Sequence, residues 1–292
     1  MGRGARRPRG ARLVRRPRAA QRPPVARRPA VPGAPVRRAG GLVGLVFFAA
    51  MGVMFFGAFY LQLVRGYSPL ESGLLFLPFA AAQLIFAPRS AAMVRRYGGR
   101  AVAAAGLLLT TVALAAFVFI DADTPIWIFS ALGFLQGAGM ANIMPPATES
   151  IMSSLPREKA GVGSAVSNTV RQVAGALGVA VLGSVLSAVY RDQVGPAVAA
   201  LPAPVRDAAR ESVSGAYAVA GRLGPDGPRL IDAANDSFVS AMHWAAGASA
   251  VVAALGIVIV LRWMPGRPVV APTRRRSRTG SWPVPHRFVD NV

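Results

Sequence analysis

SAVSNTVRQVAGALGVAVLG, residues 164–183, is twenty residues long, contains no acid, and is apolar enough to lie within a lipid bilayer, yet it carries Asn168, Arg171 and Gln172. At about 100° per residue, Ser164, Ser167, Asn168, Arg171, Gly175 and Gly178 fall within about 100° of one another, with Gln172 at the edge of that arc. Val166, Val170, Val173 and Leu177 cover the rest of the surface. A helix with one small and polar face does not turn that face to lipid. Small residues let helices approach closely, and polar ones face the bundle interior or a water-filled cavity.

Working outward, the whole chain has the same character. Of 292 residues 53% are hydrophobic and only 15% charged, against about a quarter charged in a soluble domain. A spanning helix needs about 20 apolar residues to cross roughly 30 Å of hydrocarbon. Six segments meet that requirement, at about 41–64, 72–94, 101–120, 125–148, 161–189 and 237–263. Prolines within them, such as Pro78, Pro145 and Pro146, are tolerated because neighbouring helices re-satisfy the freed backbone groups. The fold expected is an all-α membrane protein with six transmembrane helices.

The net charge of +21 belongs to the ends. Thirteen of the 33 basic residues lie in the first 38 positions and seven more from Arg262 onward. The Arg/Pro tract at 1–40 has no periodicity and reads as a disordered basic tail, most simply a wrong start or shifted frame. Residues 264–292 read as a second basic tail. The short connections RRYGGR (95–100) and LPREKAG (155–161) are basic, whereas DADTP (121–125) has no base. The positive-inside rule then puts both termini in the cytoplasm of a plasma-membrane protein and the 190–236 connection outside. Within that connection, residues 202–223 are expected to form a short helix over the outer face, a solvated cap on the helix ends. Trp127, Trp244 and Trp263 fall at expected helix ends, as an interfacial belt would.

There is no cysteine, and His243 and His286 lie far apart, so no metal pattern or cofactor is implied. No nucleophile or phosphate-binding constellation supports an enzyme. A nucleic-acid partner is not expected, because the basic charge lies outside the body of the chain. A different reading keeps the basic arm as a binder of anionic lipid or nucleic acid, anchored by six helices.

YLQLVRGYSPLESGLLFLPFA (60–80) resembles the first helix pair of the C-terminal half of a major facilitator superfamily transporter, in the fourteen-helix drug:proton antiporter group. GAGMANIMPPATESIMSSLPREKAGVGSAVSNTVRQVAGALGVAVLGSV (137–185) resembles the fourth and fifth helices of that half. The resemblance covers about 41 to 265. It implies the C-terminal bundle of a secondary efflux transporter for drug-like or other small organic molecules, driven by proton antiport. It also implies an N-terminal bundle, from the same gene or a separate chain, without which the transporter is incomplete. The family's antiporter signature, on the fifth helix of that bundle, has no counterpart here. RRYGGR is similar to a degenerate cytoplasmic gating motif, so Arg95, Arg96, Gly98 and Arg100 are gating candidates. Val94 and Arg95 stand where that motif carries its acid.

Arg171 lies twelve residues beyond Lys159, about 18 Å along a helix, which suggests a position near mid-membrane. A charge there costs at least about 2.5–3.5 kcal/mol, and the chain offers no carboxylate at matching depth. Either Arg171 lines a central cavity, meeting substrate, water or an acid on an opposing bundle, or it snorkels along its helix to carbonyls or Asn168. Asn168, Gln172, Gln62, Gln136 and Asn142 are the further cavity candidates, with ordinary interhelical hydrogen bonding as the competing role. Met51, Met54, Phe55, Phe56 and Phe59 could line a drug pocket, although residues at this spacing are more often packing or lipid-facing. Arg89, just after Pro88, is expected to snorkel, and His243 to sit at the interface.

Overall fold

The computed structural model describes residues 34–153 and 160–264. Helix α1 (Ala34–Phe59) passes into a π-helical turn at Tyr60–Val64. Next come α2 (Pro69–Leu75), α3 (Leu77–Tyr97) and α4 (Gly99–Ala116), the last closing in a 3-10 turn at Phe117–Phe119. Then follow α5 (Ile126–Ser153), α6 (Ala160–Val198), α7 (Ala203–Glu211), α8 (Val213–Ala220) and α9 (Gly227–Trp263). Six of the described helical stretches are long and apolar enough to cross a membrane, namely Gly40–Val64, Pro69–Tyr97, Gly99–Phe119, Ile126–Ser150, Gly161–Val198 and Gly224–Trp263. Their order and spacing match the six segments read from the sequence.

The bundle forms two groups of three. α1, α6 and α9 pack on one another, α5 lies between α3 and α4, and the groups meet where α4 packs on α9 and α1 on α5. Glycines set the closest crossings. A methyl group on Gly106 of α4 would lie 2.7 Å from the Gly139 carbonyl oxygen of α5. One on Gly178 of α6 would lie 2.9 Å from the Phe48 Cα of α1 and closer still to its carbonyl oxygen. Backbone contact of this kind is how helices associate where water supplies no hydrophobic drive between them. α3 and α6 are the flanking helices; only 11% and 22% of their most apolar windows are buried.

At one end, called here the cap end, three side chains hold the 120–124 turn. The Tyr60 hydroxyl donates to the Asp121 carbonyl (2.7 Å), Arg65 Nη1 to the carbonyls of Ala122 and Thr124, and His243 Nε2 to that of Ile120 (2.8 Å). His243 is therefore a tether between α9 and the end of α4, beyond the interfacial role expected. Its neighbour Trp244 is well exposed and lies mid-helix, because α9 begins ten residues before the expected start at 237.

The 190–236 connection differs from the expected solvated cap. α6 continues to Val198 and α9 starts at Gly227, while α7 and α8 bury Ala209, Val213, Ala216, Val219 and Ala220 on Val194, Val198 and Leu230. Ser212 starts α8, its Oγ accepting from Gly215 N at 3.0 Å. The Tyr190 hydroxyl donates to the Ala209 carbonyl (3.1 Å). That of Tyr217 lies 2.8 Å from the Leu63 carbonyl oxygen and 3.0 Å from Asn235 Oδ1. Alanine and valine at helical spacing gave this segment an apolar face, which joins the same core as α1, α4 and α9.

At the opposite end the expected tail at 1–40 needs correction. Residues 34–40 belong to α1, which extends the helix upstream of the apolar run; residues 1–33 and 265–292 lie outside the described residues, as does 154–159.

Candidate functional site

α1 and α6 pack side by side, and away from the cap end an open concavity of about 450 Å³ lies at their seam, lined by Phe47, Met51, Asn168, Arg171, Gln172 and Gly175, with Ala176 and Val179. Arg171 donates to Asn168 Oδ1 one turn earlier, and its guanidinium carbon stands 5.8 Å from the centre of the Phe47 ring, within the roughly 6 Å over which a cation is drawn to an aromatic face. None of the lining residues is acidic.

Both readings of Arg171 hold part of the geometry. It makes the intrahelical bond to Asn168, and it also lines a concavity. The guanidinium is level with Phe47 and, as helical side chains lean toward the N-terminus of their helix, it is drawn back toward Asn168. The polar arc of α6 is likewise divided: Ser167 and Gly178 are buried and Gly178 docks on α1, whereas Asn168 and Gln172 are exposed along the concavity's edge.

The other cavity candidates lie apart. Gln136 and Asn142, both on α5, are 3% and 4% exposed. Asn142 Nδ2 donates to the Ala138 carbonyl at 2.9 Å, and among the described residues Gln136 Nε2 and Asn142 Oδ1 have no partner. Gln62 is exposed in the π turn at the cap end. Arg89 Nη1 donates to the Ile85 carbonyl one turn earlier in its own helix at 3.1 Å, so its side chain points back along α3 and not toward the inner interface as expected.

The stretch 95–100, expected as a loop, is almost wholly helical. Arg95 and Arg96 form the last turn of α3, and Arg100 lies in the first turn of α4 and donates to the Leu261 carbonyl of α9. One residue, Gly98, makes the joint, with φ 85° and ψ 150°. A side chain disfavours that conformation, and glycine alone adopts it freely. The second basic connection, as far as Lys159, lies outside the described residues.

Phe47 was missed in the sequence. Its signal was present, since Phe47, Met51, Phe55 and Phe59 recur every four residues and so share one face of α1. That stripe continues from the concavity toward the cap end, where Phe55 and Phe59 are 43% and 39% exposed, with ring centres 4.9 Å apart, while Phe56 is buried.

A bundle of six membrane-length helices, with a charged and aromatic concavity on one flank, defines a multi-pass membrane protein. Residues 5–191 match the family model described as Major Facilitator Superfamily, and the chain belongs to that family. It is 36% identical to the tetracenomycin C resistance and export protein of Streptomyces glaucescens, over 73% of this chain and 41% of that protein. It is also 36% identical to the multidrug resistance protein Stp of Mycobacterium tuberculosis, over 55% of this chain and 30% of the relative. With the multidrug efflux pump LfrA of Mycolicibacterium smegmatis the identity is 30%, over 74% and 40% respectively. The chain spans less than half the length of these relatives.

Proposed function

We propose that the chain is the C-terminal bundle of a secondary efflux transporter that exports drug-like or other small organic molecules by proton antiport. The observation that carries this reading is the cluster of Arg171, Asn168 and Gln172 with Phe47 and Met51 on an open flank of the bundle. Polar groups beside aromatic and thioether surface suit organic molecules, and an ionisable residue within a membrane is a functional site by default. The resistance and export relatives support the same class.

Alternating access requires one bundle to rock against another around a shared site. The concavity accordingly faces an N-terminal six-helix bundle, on the same polypeptide or a separate chain. That partner supplies the proton-carrying carboxylate, since the concavity has none. The end bearing Gly98 is cytoplasmic and the cap is external, in the plasma membrane, as the distribution of basic residues supports.

The test is dye efflux from proteoliposomes under a proton gradient. The chain alone gives none. With an N-terminal bundle supplied, efflux appears, and Arg171→Met reduces it at least tenfold while leaving the amount of folded protein unchanged. Efflux by the six-helix chain alone, or full efflux with Arg171→Met, would overturn the reading.

A further inference from the structure

α4 and α9 pack along a common seam and meet at the end away from the cap. A methyl group on Gly99, the first residue of α4, would lie 3.7 Å from Met264 Cε, just past the end of α9. Across this junction Arg100 donates to the Leu261 carbonyl. Arg262, exposed in the last turn of α9, forms no ion pair among the described residues. A guanidinium has five N–H donors, so a single carbonyl leaves most of those on Arg100 free.

The other charges at this end reinforce the arginines or are offset. The N-terminus of α4 is positive, whereas the C-termini of α9 and α3 are negative. Arg262 occupies the last turn of α9, and Arg95 and Arg96 that of α3. Met264 N also donates to the Val260 carbonyl at 3.0 Å. Neither α4 nor α9 after Asp236 contains an acid. Glu149 of α5 is exposed and pairs with none of these arginines among the described residues.

Beyond Arg262 the surface turns apolar. Val251, Leu255, Val258 and Arg262 fall within about 60° of one another around α9, and all four are well exposed. Arg262 stands eleven residues beyond Val251, about 16 Å along the helix, close to one leaflet's half of a hydrocarbon layer of roughly 30 Å. Trp263 is exposed beside Arg262, where an indole suits the headgroup level. An apolar stripe one leaflet long, topped by two guanidiniums, matches the length and charge of a phospholipid. We infer that this end of the α4–α9 seam binds one anionic phospholipid, its phosphate between Arg100 and Arg262 and an acyl chain along Val258, Leu255 and Val251. Arginine suits a phosphate because its planar fork can donate two parallel bonds. The site shares no residue with the Arg171 concavity and does not depend on the transport reading.

The test is quenching of Trp263 by phospholipids with dibrominated acyl chains. The full chain is reconstituted in phosphatidylcholine with Trp127, Trp244 and Trp282 replaced by Phe, leaving Trp263 as the sole tryptophan. Brominated phosphatidylglycerol should reach Trp263 with about tenfold preference over brominated phosphatidylcholine. Arg100→Gln and Arg262→Gln should each lower that preference about three- to fivefold, as loss of one surface charge implies, and the double variant should abolish it. Arg96→Gln removes a base at the same end from α3, where Arg96 lies over the Tyr97 ring, and should leave the preference unchanged. With Trp127, at the cap end, as the sole tryptophan, the two lipids should quench equally. Elution of each variant as a single folded species shows that the change is local. Equal quenching of Trp263 by the two lipids, a preference that survives the double variant, an equal loss in Arg96→Gln, or the same preference at Trp127 would each overturn the inference.

Discussion

Gly178→Ala perturbs the seam between α1 and α6 by a single methyl group. The added carbon would lie 2.9 Å from the Phe48 Cα and carbonyl carbon, where carbon atoms ordinarily rest about 3.5–4.0 Å apart. Both partners are backbone, so relief requires the two helices to separate by roughly 1 Å. Overpacking of this kind costs about 1–3 kcal/mol. The displacement also reaches the concavity, because Phe47 adjoins Phe48. Arg171 begins at 5.8 Å from the Phe47 ring centre, and a further ångström takes it beyond the roughly 6 Å limit of a cation–π contact. The assay is SDS-driven unfolding in mixed micelles followed by tryptophan fluorescence. The comparison is Gly73→Ala, where no atom lies within 4 Å of the new methyl, and where stability should rise by about 0.4–1 kcal/mol through the unfolded chain. Gly178→Ala should unfold earlier than Gly73→Ala by at least about 1 kcal/mol. Equal midpoints would refute both the close seam and its control of the arginine.

Tyr217→Phe removes the hydroxyl that reaches Leu63 and Asn235 and should cost about 1–3 kcal/mol, seen as faster amide hydrogen exchange across 213–220. Arg65→Ala frees the carbonyls of Ala122 and Thr124; exchange in the 120–124 turn should quicken while that of α5 stays unchanged. Gln136→Leu replaces a buried amide whose Nε2 has no partner among the described residues. It should leave the unfolding midpoint unchanged or raise it, because an apolar group of similar shape carries no desolvation penalty. A loss above about 1 kcal/mol would reveal a polar partner for that amide.

The spanning helices were legible because bilayer thickness imposes a length and an apolar composition on each, and 161–189 or 237–263 meets both without reference to any neighbour. What the sequence concealed were events that composition leaves unmarked. The ten extra residues at the start of α9 and the nine at the end of α6 are polar or mixed, so hydropathy alone ends those helices at the membrane boundary. Helical continuity depends on backbone hydrogen bonds, which continue through Arg191 and Asp232. RRYGGR was read as a loop because two glycines and three arginines suggest one; a single glycine suffices for the reversal, and Gly99 already begins α4. At the site, Asn168, Arg171 and Gly175 of the wheel's arc do line the concavity together, whereas Ser164, Ser167 and Gly178 do not. The wheel could not say which part of the arc would be covered, since that depends on α1. Gln136 and Asn142, read as cavity candidates on the fourth segment, are buried in α5 and do not line the concavity, an outcome that depends on how α5 packs.

α6 is 39 residues long, about 58 Å at the helical rise and nearly twice the thickness of the hydrocarbon layer. The helix that carries Arg171 in the concavity also carries Val194 and Val198 under the cap, about 40 Å away. Mechanically, α6 is a lever with its pivot at the concavity and its free arm under the cap. A tilt of about 5° pivoting near Arg171 moves the cap end by about 3.5 Å, more than half the pitch of a helical turn. A rotation at the concavity is thereby amplified into a displacement beneath the cap.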